Sequence, residues 1–200
     1  DVRFTVLTPR MLRLEWVPGG RFEDNASLVF LNRRLSVPRF AVEHEDGWMI
    51  IRTDSLMLRY KEQSGRFTEQ NLSITRGHGV QINPTVWHPG LKDSTNLRGT
   101  IRTLDGVRGA TDLEPGLLSR TGWTVVDDSE RPLFDKGDWP WVMPRTEGER
   151  QDLYFFGYGP DYKGLLGDFV KIAGRIPMPP RFAFGTWWSR YWAYTDGEFK

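Results

Sequence analysis

Asp105, Asp112, Glu114, Asp127 and Asp128 bring five carboxylates into one stretch of a 200-residue chain, and carboxylates are the catalytic groups this sequence supplies. Two carboxyl groups on either side of a sugar bond act as acid and nucleophile when they stand about 5 Å apart, the arrangement that cleaves with retention. Linear spacing does not set that separation, and the same residue types also form turns and solvated charges. Asp127-Asp128-Ser129 in particular reads as the end of a hairpin. The other groups offer less. His44 falls in a strand pattern, His78 lies between glycines, and neither they nor His88 shows zinc-ligand spacing, so structural or solvent-facing roles are expected and no metal or cofactor is implied. Arg76-Gly-His-Gly79 lacks the Gly-Lys-Ser/Thr ending of a phosphate loop, and Ser119, in Gly116-Leu-Leu-Ser119, lacks the surroundings of a nucleophile elbow.

A second group of residues suits sugar rings. After Pro179-Pro180 the chain carries Phe182, Phe184, Trp187, Trp188, Tyr191, Trp192 and Tyr194, which line a pocket or fill a core. Nothing downstream packs against them, so the segment reads as the opening of a second, truncated domain. Aromatics are 14% of the chain, with nine Trp, either as core filler or as stacking platforms. Exposed rings in this tail would drive it to fold back on the preceding domain or to bury itself against a neighbouring molecule.

Composition excludes several classes. The net charge is +1, from 27 basic and 26 acidic residues, and the basic residues stand singly or in pairs such as Arg33-Arg34, so neither nucleic acid nor an anionic membrane is implied. Cysteine is absent, and no apolar run approaches the ~20 residues that span a bilayer. The compartment stays open.

The elements that must position these groups are mostly short strands. Arg3–Leu7, Met11–Trp16, Phe40–Glu45, Trp48–Arg52, Ser55–Tyr60, Gly79–Ile82, Arg98–Thr103, Gly122–Asp127 and Gln151–Phe156 carry strand patterns separated by Gly, Asn and Asp turns. In the second, Leu12, Leu14 and Trp16 alternate with Arg13 and Glu15, which predicts an apolar face inward and a polar face toward water. Such a series argues for an antiparallel β-sandwich. One helix is predicted over Tyr162–Ala173, with Asp161 as N-cap, Gly174 at the C-terminal end, and an apolar stripe of Tyr162, Leu165, Leu166, Phe169, Val170 and Ala173. Trp87 to Asn96 and Asp105 to Pro115 read as long loops, which are often functional.

Five short stretches carry a resemblance. Leu97-Arg-Gly-Thr-Ile-Arg-Thr-Leu-Asp105, followed by Leu113-Glu-Pro-Gly-Leu-Leu-Ser-Arg-Thr-Gly-Trp-Thr-Val-Val-Asp-Asp-Ser129, resembles the N-terminal region of glycoside hydrolase family 31, the α-glucosidase and α-xylosidase family. Tyr158-Gly-Pro-Asp-Tyr-Lys-Gly-Leu-Leu, Gly174-Arg-Ile-Pro-Met-Pro-Pro-Arg and Phe184-Gly-Thr-Trp-Trp-Ser-Arg-Tyr-Trp-Ala-Tyr194 resemble, in order, that family's connector helix and first barrel strand. The resemblance implies a galactose-mutarotase-like sandwich over 1–158, a connector over 159–180, and the start of a truncated (β/α)₈ barrel over 181–200, with its first strand from Phe182 to about Ser189. The family's aspartate nucleophile and aspartate acid/base lie on later barrel strands, and the nucleophile motif is absent from these residues, so no catalytic residue is carried over and the fragment is expected to be inactive alone.

Two contributions to substrate binding are implied instead. Trp188, Arg190, Tyr191, Trp192 and Tyr194 line the mouth of the sugar pocket, because residues at the C-terminal end of a barrel's first strand face it. Asp105 or Asp112 reaches over that pocket from a sandwich loop. The partners are then an oligosaccharide or α-glycoside, the missing barrel, and a second copy joined through the aromatic tail. Two readings stand beside this one: a free-standing carbohydrate-binding sandwich, and a mutarotase-like epimerase, to which nothing ties the three histidines.

Overall fold

The architecture follows from period-two apolar patterning on strands that pair by short turns. A computed structural model describes residues 1–76, 86–99, 103–139, 141–187 and 191–199. Eleven strands are present among them: β1 (Val2–Thr8), β2 (Met11–Trp16), β3 (Phe40–Glu45), β4 (Trp48–Thr53), β5 (Leu56–Lys61), β6 (Leu72–Arg76), β7 (Val86–Trp87), β8 (Thr124–Asp127), β9 (Leu133–Phe134), β10 (Val142–Met143) and β11 (Gln151–Phe156). They form a four-stranded sheet in the order β1-β2-β11-β8, a five-stranded sheet β3-β4-β5-β6-β7, and a small β10-β9 ribbon, every pairing antiparallel.

The two larger sheets close on one apolar core. Leu12 stands opposite Phe155, and Leu14 opposite Leu153, on neighbouring strands. Their side chains pack with Val6 against Leu56, Leu58 and Tyr60 of β5 and Leu72 and Ile74 of β6. Register is strongly specified here, since a one-residue slip would exchange this face for the other.

The other face of the four-stranded sheet departs from the alternation pattern. Arg13 and Glu15 do not meet water: both are 2% exposed. A second layer covers them, and it brings charge partners. Arg13 donates from Nε and Nη2 to the two carboxylate oxygens of Asp152, each at 2.9 Å. Arg33 reaches in from the long β2–β3 connection and bridges Asp152 (3.1 Å) and Asp128 (2.8 Å). Arg145 does the same from beyond β10, at 3.0 and 2.8 Å. Ser27 donates to the second oxygen of Asp128, and Arg3 to Glu15. Phe30 stacks on Tyr154 with ring centroids 3.6 Å apart, and the Arg33 guanidinium donates to the Tyr154 hydroxyl.

Burial raises the pKa of Asp152, but hydrogen bonding from Arg13 and the charges of Arg13, Arg33 and Arg145 outweigh it and leave the carboxyl below its ordinary value. Burial dominates at Asp128 and Glu15, which are raised. The Tyr154 phenol is likewise pushed up by burial.

Beyond this charged patch the same face is apolar and takes the helix. α1 (Tyr162–Ala173) is capped by Asp161, whose carboxylate accepts the Gly164 amide at 3.0 Å and pairs with Arg10 at 2.6 Å. Gly174 follows at φ 88°, where its amide bonds the Val170 carbonyl. The buried stripe is rotated from the predicted one: Leu165 and Ile172 are buried against Met11, Phe30, Phe156 and Tyr158, while Leu166 is exposed.

Several expected elements differ. Leu72–Arg76 is a strand that the sequence reading did not single out. Gly79–Ile82 lies outside the described residues. Arg98–Thr103 is not a strand at its described positions, because Arg98 takes φ 67°, in the left-handed region that breaks an extended run. In the stretch expected to be a strand from Phe182, Arg181–Phe184 is instead a 3-10 turn; a strand needs a ladder partner, and none pairs with it among the described residues.

Asp152→Asn should cost about 3–5 kcal/mol near neutral pH in urea unfolding, because three buried guanidinium groups lose their shared anion. Since the folded pKa of Asp152 lies below its reference value of 3.8, its contribution is complete above that value and disappears as the pH falls through the folded one. The gap between variant and native protein should therefore narrow below about pH 4, whereas Asp128 and Glu15, being raised, act in the opposite sense. A loss under about 1 kcal/mol, or a gap independent of pH, would contradict this.

Candidate functional site

The loop with the two candidate aspartates grows out of a ribbon pinned by one asparagine. Between β7 and β8 the chain leaves and returns with residues 93–99 alongside 114–120: the Leu97 amide bonds the Leu118 carbonyl, the Gly99 amide the Glu114 carbonyl, and the Arg120 amide the Thr95 carbonyl. Asn96 and Ser119 form an isolated antiparallel bridge. The Asn96 Oδ1 accepts the amides of Arg98 (2.8 Å) and Gly116 (2.7 Å), while its Nδ2 donates to Asp93 (3.0 Å) and to the Gly116 carbonyl (2.9 Å). Ser119 donates to the other oxygen of Asp93, a structural bond that accounts for its position without nucleophile chemistry.

Gly116 has to be glycine, because a Cβ there would stand 2.3 Å from the Arg98 carbonyl oxygen. The stalk thus holds residues 103–113 out from the sandwich edge, with Asp105 and Asp112 exposed near its end. The side chains of Asp105 and Asp112 make no hydrogen bond or ion pair with the described residues; the Asp105 amide bonds the Thr103 hydroxyl.

Under the stalk runs a groove of about 640 Å³ along the free edge of β8, walled by Trp87, Leu91, Leu117, Trp123 and Leu153, with Asp93 and Asp127 at its polar side. Of these, Trp87 and Trp123 also belong to the core. Both are buried, and Trp87 packs on Phe155 at 5.3 Å and on Trp123 at 6.4 Å, so these two are core. Trp139, Trp141 and Trp187 are exposed.

Of the five carboxylates singled out, Asp128 departs most from expectation. Asp127 accepts the Ser129 amide at 2.9 Å, as a turn former does, whereas Asp128 is fully buried in the arginine network. The carboxylates brought close together, Asp128 with Asp152 and Asp152 beside Glu15, are all held by arginines.

Of the histidines, His44 bonds Glu62 at 2.7 Å on the surface, His88 bonds the Pro89 carbonyl, and His78 lies outside the described residues. No group of three or more His, Asp or Glu side chains is placed to hold a metal ion among the described residues.

Trp188 and Arg190 of the aromatic tail lie outside the described residues. Phe182, Phe184, Trp187, Tyr191 and Trp192 are exposed, Tyr191 completely, so these rings do not fold back on the sandwich. Tyr194 packs edge-on against Phe199 at 5.1 Å. Among the described residues, no hydrogen bond or ion pair brings Asp105 or Asp112 to the tail rings.

Comparison with known proteins places this geometry. No family model matches the chain. It is 36% identical over 76 residues to the alpha-xylosidase XylQ of Lactiplantibacillus pentosus, covering 36% of this chain and 10% of that protein. Its fold superposes on a Flavobacterium johnsoniae GH31 dextranase complexed with glucose, with a TM-score of 0.55 and 16% identity over 92% of this chain and 27% of the other. A variant of that enzyme complexed with isomaltotriose gives a TM-score of 0.54 at the same identity and coverage. The chain therefore spans about a quarter of the length of the solved structures it matches, and a tenth of the curated relative. The fold is an antiparallel β-sandwich of the kind present in glycoside hydrolases. These similarities relate the chain to glycoside hydrolase family 31.

Asn96→Ala should free the stalk while leaving the core intact. Four hydrogen bonds at a net ~1 kcal/mol each predict amide exchange at Leu97 and Gly99 accelerated by about tenfold or more, with Phe155 unchanged. Gly116→Ala should produce the same pattern. Equal acceleration throughout the chain would show instead that the ribbon is part of the core.

Proposed function

We propose that these residues form the non-catalytic N-terminal sandwich of a retaining α-glycosidase of the α-glucosidase type, acting on O-glycosyl bonds in carbohydrate metabolism. The observation that carries this reading is the superposition of 92% of the chain on 27% of a GH31 dextranase, together with its sequence similarity to an alpha-xylosidase. On this reading 1–158 is the supporting sandwich, 159–180 the connector, and 181–200 the beginning of the barrel. Exposed Phe182, Phe184, Trp187 and Tyr191 are the surface that the barrel covers, or through which two copies associate in its absence.

The stalked loop reaches over the sugar pocket, and Asp105 or Asp112 accepts a hydrogen bond from a substrate hydroxyl. Trp188, Arg190, Tyr191, Trp192 and Tyr194 supply stacking and polar contacts at the pocket mouth. The exposure of both aspartates, unpaired among the described residues, supports this role, since a solvated carboxylate is free to take a sugar hydroxyl. The arginine-bound carboxylates support an inert fragment.

The purified chain should release no product from an aryl α-glucoside, and calorimetry with isomaltotriose should give no heat, because half a pocket binds weakly. Hydrolysis abolished by replacing one of the chain's own carboxylates would overturn the non-catalytic assignment. Tight oligosaccharide binding without hydrolysis would mark a free-standing carbohydrate-binding sandwich.

A further inference from the structure

The outer face of the four-stranded sheet holds a cavity that neither the core nor the stalked loop explains. It measures about 450 Å³ and is lined by Arg3, Arg13, Arg33, Arg34 and Lys136, with Asp24 as its single acidic wall. Arg3 and Arg13 belong to the sheet, Arg33 and Arg34 to the β2–β3 connection, and Lys136 follows β9, so three separate parts of the chain converge their cations on one space. Its volume lies within the ~300–1,000 Å³ of small-molecule sites.

The local charges do not cancel. Arg3, Arg13, Arg33 and Arg145 are matched by Glu15, Asp24, Asp128 and Asp152, each within ion-pair distance of at least one of them. Arg34 and Lys136 have no such partner among the described residues, and both side chains are exposed. They leave a surplus of two positive charges at the cavity.

A second observation is independent of that surplus. The Arg33 side chain is only 5% exposed, yet its Nε has no hydrogen-bond partner. A buried donor left unsatisfied costs about 1–3 kcal/mol, and the residue that carries it lines the cavity. Thr5 adds a hydroxyl to the wall.

We propose that this cavity binds a compact oxyanion, phosphate or sulfate, either free or carried as an ester on a sugar. Guanidinium groups arriving from different directions suit an anion with three or four oxygens, each able to accept charge-assisted hydrogen bonds. A polyanion is disfavoured, since the chain as a whole carries a net charge of only +1.

The test is calorimetric titration of the 200-residue chain, at low ionic strength, with inorganic phosphate, inorganic sulfate, glucose 6-phosphate and, as the neutral control, glucose. The doubly substituted Arg34→Ala/Lys136→Ala protein touches neither the arginine network nor the core, so its unliganded melting temperature should match the native one while phosphate binding weakens about tenfold or more. Lys136→Ala alone, on an exposed side chain, should weaken it about threefold and serves if the double variant does not fold.

Glucose 6-phosphate bound about tenfold or more tightly than phosphate would identify the ester as the occupant, and equal affinities the free anion. No heat with any of the three anions, affinity unchanged by the substitutions, or glucose bound as strongly as its phosphate would overturn the proposal.

Discussion

Charge buried on the wrong side of a β-sheet is the constraint from which the rest of this structure follows. Sheet patterning alone would put Arg13, Glu15 and Asp152 in water. Burying any one of them unpaired would cost several kcal/mol, so the outer layer closes only if it delivers matching groups to fixed points. Arg33, Ser27, Asp128 and Arg145 do this from separate segments, and one oxygen of Asp152 accepts from three guanidinium groups. The interaction is demanding more than it is strong. It admits few alternative dockings of the β2–β3 connection and the β9–β10 ribbon, as a hydrophobic patch of equal area would not.

That demand divides the sheet's outer face in two. At the charged end, polar groups set the position of the connection, and the cation-lined cavity sits beside them. At the apolar end, Phe30, Tyr154, Phe156 and Tyr158 receive the helix through Leu165 and Ile172, with Phe30 on Tyr154 joining the two regions. The opposite face carries the sandwich core. The stalk that bears Asp105 and Asp112 touches the apolar end only through Leu117 and Leu118. It rests on the hydrogen bonds of Asn96 and the missing side chain of Gly116, which leaves its end exposed and able to meet a partner surface.

Much of the fold was legible because its signals are local. Alternation located β1, β2, β4, β5 and β11 to within a residue or two, and the Asp161 and Gly174 caps bracketed the helix. The inner face of β2, with Leu12 and Leu14, read correctly for the same reason. The outer face did not, because whether Arg13 meets solvent or Asp152 depends on a residue 139 positions away. The helix stripe was misplaced by the same kind of fact: Tyr158 and Phe30 decide which side is buried, and they lie outside the helix. Asn96 carries a signal only when seen opposite Gly116. Leu72–Arg76 does alternate, but Leu72 and Ile74 are its only apolar residues, too short a pattern to mark a strand. The family resemblance read from five short stretches agrees with the relatives found.

A double-mutant cycle between Arg33 and Asp128 tests the network most directly. Arg33→Met, Asp128→Leu and the combined variant would be compared with the native chain by urea unfolding. If buried charge pairing specifies how the outer layer docks, each single change leaves the buried network one charge out of balance, and the double variant recovers a coupling energy above about 2 kcal/mol. Additivity within about 0.5 kcal/mol would contradict the account and leave apolar packing alone to hold the layer.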